Sequence, residues 1–388
     1  MISTAIALAS CTVWLYLAAF RGGFWRADVR DAPAANKGQS IGDWPRIAVV
    51  IPARDEVLVI GESLESLLLQ RYAGELSIVV VDDHSQDGTV ALAEELALRH
   101  GSRRRVSVIS ASALPAGWTG KLWAIHEGIA HIERGIDPAE FFLLSDADIC
   151  YGNDALADLV SRAIDDNLVL TSLMAKLRCE SAAERFMIPA FIFFFQMLYP
   201  FSWVARRDRT TAAAAGGCML IRRDAYVRAG GVETIRSALI DDCSLARRLK
   251  DQGAIWLGLT ERVRSLRAYP SLATIRQMVV RTAYAQLLFS PLLLTLTVIS
   301  MSITFLAPPL LLLAGPALAK PLALAAWAAM AFLFQPTLRL YRVSAWYGFA
   351  LPAIAAFYLA LTVESAYQHS RGRGGVWKGR VYPAARRS

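Results

Sequence analysis

Apolar residues crowd into long stretches at both ends of the chain and into short periodic runs between them. Ile2 to Phe20 is a nearly unbroken apolar run of the length that crosses a bilayer as a helix. Arg21, Arg26 and Arg30 follow it, whereas a cleaved signal peptide carries its positive charge ahead of the apolar stretch. Residues 1–21 therefore predict a retained anchor, and the positive-inside rule puts the following domain in the cytosol. Residues 22–45, rich in Ala, Gly and polar side chains, predict a linker.

The region 286–364 divides into apolar stretches near 286–313, 317–338 and 345–364, punctuated by Pro308, Pro309, Pro316, Lys320, Arg339 and Arg342. About three spans is the simplest count. It would leave the tail 365–388 outside, yet that tail carries Arg371, Arg373, Lys378, Arg380, Arg386 and Arg387. The positive-inside rule favours a cytosolic tail, which two short passes or a re-entrant hairpin in the proline-broken first stretch would restore. Both counts stay open.

Between the ends, residues 46–270 alternate strand and helix patterns. Ile47 to Ile51 is a β-branched run, and Ile60, Leu64, Leu67 and Leu68 then recur at helical spacing. Strand Ile78 to Val81, helix Thr89 to Arg99, strand Val106 to Ile109, helix Lys121 to Glu133 and strand Phe141 to Leu144 follow. This alternation predicts an α/β domain with a mostly parallel sheet covered by helices, binding ligands at the carboxyl ends of its strands. Within it the apolar run 186–204, broken by Pro189 and Pro200, fits a core helix or a span by length. An aromatic-rich helix in the bilayer interface is the expectation, because a span would separate two halves of one acidic cluster. Residues 271–285, with Arg276 and Arg281 beside apolar positions, read as a second interfacial helix.

Composition narrows the function classes. The chain has 388 residues, 55% of them hydrophobic, which is high for a soluble enzyme. Cys11, Cys150, Cys179, Cys218 and Cys243 are scattered without C-x-x-C spacing, so neither a disulfide framework nor a zinc site is signalled. The net charge of +8 has no nucleic-acid module behind it; arginines bordering apolar segments fit anionic lipid headgroups instead. Nothing in the pattern fixes an oligomeric state.

Acidic residues gather where the strands end. The first ends in Pro52-Ala53-Arg54-Asp55-Glu56, the second in Asp82-Asp83-His84-Ser85-Gln86-Asp87, the fourth in Ser145-Asp146-Ala147-Asp148. One such cluster is commonly a turn or a helix cap; three at successive strand ends point to a site. Asp146 and Asp148 have D-x-D spacing, which on an extended segment turns both carboxylates to one side and suits Mg2+ or Mn2+. Lys121 opens a helix after Trp118-Thr119-Gly120, where an ammonium and helix N-terminal amides can face phosphate; the spacing equally fits a surface lysine. Trp123 reads as core, His84 as a solvated loop residue and Asp87 as a helix cap. Asp241-Asp242 precede the helix Cys243 to Lys250, and capping explains one acid better than two. Gly216-Gly217 precede the strand Cys218 to Ile221, either as a close approach to substrate or as a structural turn.

The ordered segments PARDE, VVVDDHSQDGT, GWTGKLWA, SDAD, GGCMLIRR and LIDDCSLARRL resemble the family 2 glycosyltransferases of GT-A fold, from Ile47 to Arg267. LPAGWTGKLWA, FFFQMLYPF, TAAAAGGCMLIRR and ALIDDCSLARRLK look like the hopene-associated glycosyltransferases, with ceramide glucosyltransferases more distant. The resemblance implies an inverting, metal-dependent transferase that moves sugar from a nucleotide-sugar, a UDP-sugar by analogy, to a membrane lipid such as a hopanoid. The apolar stretches and the arginines that follow the first of them predict a multi-pass protein of the inner membrane with its catalytic domain facing the cytoplasm. By the same resemblance Asp83 contacts the uracil, while Asp82 and the loop Pro52, Ala53, Arg54, Asp55 and Glu56 shape the nucleoside pocket. Asp148 binds the metal, Asp146 orients ribose or the metal's waters, and Lys121, Gly216 and Gly217 border the donor. Asp242 matches the catalytic base, with Asp241 its rival.

The Q/R-x-x-R-W motif of many relatives is missing: Arg276-Gln277-Met278-Val279-Val280-Arg281-Thr282 contains no Trp, leaving Arg281 or Gln286 as stand-ins for a diphosphate contact. The tail Trp377-Lys378-Gly379-Arg380-Val381-Tyr382 resembles tails of lipid glycosyltransferases, so Trp377 and Arg380 are candidates for the acceptor or the diphosphate. Three other readings remain. A processive polysaccharide synthase needs a polar channel, and 286–338 offers only Lys320. A lipid carrier with a degenerate nucleotide domain would have shed its acids, and nucleotidyl transfer would release pyrophosphate.

Overall fold

The run IAVVIPA forms β1 (Ile47–Ala53), buried at every position, as β-branched residues covered on both faces of a sheet should be. The structure is a computed structural model that describes residues 1–31, 42–100, 105–135, 138–374, 376–377 and 380–381. After β1 come β2 (Leu76–Asp82), β3 (Arg105–Ser110), β4 (Phe141–Ser145), β5 (Ile149–Tyr151), β6 (Leu168–Lys176), β7 (Cys218–Arg222) and β8 (Ala254–Ser265). They form one eight-stranded sheet in the order β3-β2-β1-β4-β7-β6-β8-β5.

The half β3-β2-β1-β4 is parallel throughout. β7 runs antiparallel to both β4 and β6, β6 and β8 are parallel, and β5 is antiparallel to β8. The sheet is thus an α/β Rossmann-like sheet, more mixed than the strand-helix alternation of its first half suggests. The strand order reverses at β1, since β2 lies on one flank and β4 on the other. Such a switch point leaves a crevice at the carboxyl ends.

The helix Val57–Leu68 buries Ile60, Leu64, Leu67 and Leu68, which share one face at a spacing of three to four residues. Each fully buried leucine of this kind contributes about 2 kcal/mol. The helix Gly120–Glu133 lies close on the sheet at Gly128, where a Cβ would stand 2.6 Å from Val50 and 2.9 Å from Val81. Those β-branched strand residues have little freedom to yield.

This sheet unit comprises Val29–Arg178 and Trp203–Arg267. It therefore takes in the end of the segment expected as linker: Leu259 N–H donates to Val29 O, and Asp31 N–H to Leu259 O, both at 2.9 Å. Asp31 also accepts from Thr260 Oγ1 at 2.7 Å and from Arg262 Nε at 3.0 Å.

The second unit comprises Met1–Asp28, Cys179–Ser202 and Ala268–Ser388. Among the described residues four helices are long and apolar enough to cross a membrane: Ile2–Phe20, Ala182–Val204, Pro291–Ala314 and Lys320–Leu340. The apolar stretch expected near 345–364 folds as the helix Leu351–Ser370 but is not among those four. Its second half turns polar, and Glu364 is paired with Arg276 of the helix Leu272–Gln286. Between Pro291 and Ala314 the backbone makes a π turn at Ser302–Leu306. The Thr304 carbonyl there accepts from Ser10 Oγ at 3.2 Å and from Trp14 Nε1 at 2.9 Å, satisfying polar groups that an apolar interior would otherwise strand. Trp14, Phe193, Phe334 and Ile354 are core residues of this unit.

Candidate active site

The parallel half of the sheet delivers its acids to the switch point because β1, β2 and β4 all end on one edge. Pro52 and Ala53 close β1, Asp82 closes β2, and Ser145 closes β4 just ahead of Asp146. Lys121 comes from the first turn of the helix Gly120–Glu133, whose N-cap Thr119 accepts from the Leu122 N–H. Asp241 and Asp242 occupy the first turn of the helix Asp241–Lys250, where the positive end of the dipole favours carboxylates. Gly216 stands two residues ahead of the strand β7.

These elements converge on one cavity lined by Pro52, Lys121, Asp146, Gly216, Asp241 and Asp242, with Leu122, Leu144 and Met219 among its apolar lining. Lys121 Nζ stands 2.8 Å from Asp146 Oδ1 and 3.0 Å from Asp241 Oδ2. Burial alone would push its ammonium down, but Asp146 and Asp241 outweigh burial and hold it well above the usual lysine range. Asp242 Oδ2 accepts from the Gly216 N–H at 3.0 Å and Oδ1 from the Cys243 N–H at 2.7 Å. Its carboxyl is nevertheless pushed up to about 6, first by withdrawal from water and then by the charge of Asp241, against the opposing pull of Lys121. A Cβ at Gly216 would stand 3.1 Å from Lys121 Nζ and 3.5 Å from Asp242 Oδ2. Gly216 thus gives room to those two side chains, while Gly217 gives room to Ile149, 2.8 Å from where its Cβ would lie.

The other strand-end residues form a second cluster. Asp82 and Asp83 are buried, and the Asp83 N–H donates to Ala53 O at 2.8 Å, tying the ends of β1 and β2. Arg54 Nη1 lies 3.5 Å from Asp83 Oδ2. Asp55 and His84 adopt left-handed φ of 52° and 59°, a conformation Asp and His tolerate better than most residues. Two bonds join their loops: Asp55 N–H to Ser85 Oγ at 2.9 Å and Gln86 N–H to Asp55 Oδ1 at 2.8 Å. Asp87 accepts from Thr89 N–H at 3.1 Å and Val57 N–H at 3.0 Å, serving the starts of two helices. His84 is exposed.

Asp148 is buried, and its environment is one that spacing gives no sign of. Ser265 Oγ donates to its Oδ2 at 2.7 Å and Arg267 Nε at 3.2 Å, while Arg267 Nη2 reaches both Glu56 oxygens at 2.8 and 2.9 Å. Trp123 is not in the core: it is half-buried, in an edge-to-face contact with Trp118 at 5.1 Å and stacked on His126. Its indole N–H donates to Ser112 O at 3.1 Å.

Arg281 and Gln286 belong to the other unit, on the helix Leu272–Gln286; Arg281 is exposed and Gln286 Nε2 donates to Tyr199 Oη at 2.5 Å. Backbone pairing joins Val376–Trp377 to Arg380–Val381 in a small antiparallel ladder. The side chains of Trp377 and Arg380, like Lys378 and Tyr382, lie outside the described residues.

Among the described residues no three His, Cys, Asp or Glu side chains converge to hold a metal. Asp146 and Asp148, two residues apart after β4, are oxygen donors of the kind that Mg2+ or Mn2+ takes together with phosphate and water; of the two, Asp146 lines the cavity. Lys121 pairs with Asp146 and Asp241, and Asp242 lines the same cavity.

A family model described as "Glycosyltransferase like family 2" matches residues 45–284. Among solved structures, the mannosyltransferase PcManGT from Pyrobaculum calidifontis, in complex with GDP-Man and Mn2+, is 20% identical. The similarity covers 94% of this chain and 99% of that one with a TM-score of 0.54, so the two share a fold. TarS 1-349 from S. aureus, in complex with UDP-GlcNAc, is 14% identical over 84% of this chain and 92% of that one. The TM-score is 0.38. No curated protein sequence matches the chain.

Proposed function

The chain belongs to the glycosyltransferase-like family 2, and from that premise we propose that it transfers a sugar, with inversion, from a nucleotide-sugar to a hydroxyl of a membrane lipid. The observation that carries this reading is Asp242. It is a carboxylate oriented by the Gly216 amide, with its pKa raised to about 6, beside Lys121 and Asp146 in one cavity. That position on the acidity scale suits a group that is ionised at neutral pH and still takes up a proton readily.

In the proposed reaction Asp242 accepts the proton of the acceptor hydroxyl as its oxygen bonds to the anomeric carbon. The bond from that carbon to the diphosphate breaks on the opposite face, and its electron pair leaves with the nucleoside diphosphate. Asp82, Asp83 and the Ala53 to Glu56 loop would hold the nucleoside; Lys121 would face the diphosphate and anchor Asp146 and Asp241. Asp148, with Asp146, would hold the divalent cation, which when bound neutralises charge gathering on the leaving diphosphate. GDP-Man and Mn2+ in PcManGT support a nucleotide-sugar donor and a divalent ion.

The lipid acceptor is supported by four helices apolar enough to cross a membrane in the same chain as the transferase domain. A hopanoid is the acceptor class favoured by the sequence resemblance, and the inner membrane with a cytoplasmic catalytic domain is the location favoured by the charge after Ile2–Phe20. The segment Ala182–Val204 is assigned to the interface rather than to a span, because the chain enters it from Arg178 and leaves it at Trp203, both residues of the sheet unit.

The test is product analysis of the purified protein with candidate nucleotide-sugars, before and after chelation. The reading expects nucleoside diphosphate as the released nucleotide, loss of release with EDTA and recovery with Mn2+ or Mg2+. Release of pyrophosphate, or turnover indifferent to EDTA, would contradict it.

A further inference from the structure

We infer that Arg267 and Ser265 are positioning residues that set the orientation of Asp148 for the metal, and that Glu56 keeps Arg267 from cancelling its charge. Three consecutive residues grip Asp148: Ser265 Oγ and Arg267 Nε both donate to Oδ2, and the Leu266 N–H donates to its carbonyl at 2.8 Å. The Arg267 N–H also donates to Ser265 Oγ at 3.3 Å, which orients that hydroxyl toward the carboxylate.

The geometry follows from the sheet, since β5 pairs with β8 and places Ile149 opposite Ser265. Both side-chain bonds fall on Oδ2, which fixes the carboxylate from that side, and Oδ1 is the oxygen we assign to the cation. An arginine beside a metal ligand would normally oppose cation binding. Here its guanidinium is engaged by both oxygens of the buried Glu56, so the trio of Glu56, Arg267 and Asp148 keeps one net negative charge. Groups that orient a ligating carboxylate in this way typically govern metal affinity by about tenfold to a hundredfold.

This inference rests on the reading of Asp148 as a metal ligand, and the experiment separates the two. The dissociation constant for Mn2+ is measured from the electron paramagnetic resonance signal of the free ion, with UDP present and no turnover, on the full-length protein in detergent. Asp148→Asn is the reference for the ligand itself. Arg267→Met is expected to weaken Mn2+ binding about tenfold or more. Ser265→Ala is expected to weaken it less, Arg267→Lys to recover part of the loss, and UDP binding without metal to stay unchanged.

Should Arg267→Met fail to fold, Ser265→Ala removes a single hydroxyl and still decides the matter. Wild-type Mn2+ affinity in both Ser265→Ala and Arg267→Lys, with Asp148→Asn impaired, would overturn the positioning role alone. Loss of UDP affinity without metal in Arg267→Met would assign Arg267 to the donor and overturn it too. Wild-type affinity in Asp148→Asn would overturn the metal reading and this inference with it.

Discussion

An Asp242→Asn protein is expected to turn over about a thousandfold more slowly than wild type, the scale of a removed general base, with donor affinity nearly unchanged. Asparagine keeps the size of the side chain but cannot take the acceptor's proton. Initial rates at saturating donor, with donor affinity measured by titration, check this. Asp241→Asn tests the rival directly, because Asp241 is held by Lys121 whereas Asp242 is held by the Gly216 amide. A large loss in Asp241→Asn beside a mild one in Asp242→Asn would exchange their roles.

The pH dependence follows from the same carboxylate. Its pKa is raised to about 6, so it is protonated, and unable to act as a base, below that pH. The wild-type kcat/KM should therefore fall about tenfold per pH unit on the acid side of pH 6 and level off above it.

Lys121→Met carries the second large effect. The ammonium stands between Asp146 and Asp241, and its removal takes a positive charge from a cavity lined by three carboxylates. Losing a preorganised positive group where diphosphate charge develops should lower kcat/KM for the donor about a hundredfold. A readout that mere damage to the fold would not reproduce accompanies it. Lys121 pulls the Asp242 pKa down, so its removal should move the acid limb of the profile upward from pH 6. An unshifted limb would show that Lys121 does not act on Asp242.

The elements that the sequence pattern defined are those with local signals. Ile60, Leu64, Leu67 and Leu68 share one buried face of the helix Val57–Leu68, and the β-branched run from Ile47 is β1. β6, β8 and the reversed direction of β7 escaped, since register and direction depend on partners far along the chain rather than on local periodicity.

The same division holds at the site. Lys121, Asp146, Gly216, Asp241 and Asp242 carried motif signals and line one cavity. Arg267 carried none: it sits two residues beyond β8, and its partners Asp148 and Glu56 are 119 and 211 positions away. Trp123, expected in the core, is instead half-buried beside Trp118 and His126, neighbours that no local signal reveals. Arg281 and Gln286, the stand-ins for the missing motif, belong to a different unit from the acids.

The central claim is transfer with inversion to a lipid hydroxyl. Its most direct test is to incubate membranes containing the protein with a panel of labelled nucleotide-sugars and Mn2+, extract the lipids, and determine the anomeric configuration of any labelled product. The account predicts label in a lipid from one donor, with the configuration opposite to that of the donor and no label with Asp242→Asn. Label confined to polymer or water-soluble products, or a lipid product of retained configuration, would contradict it.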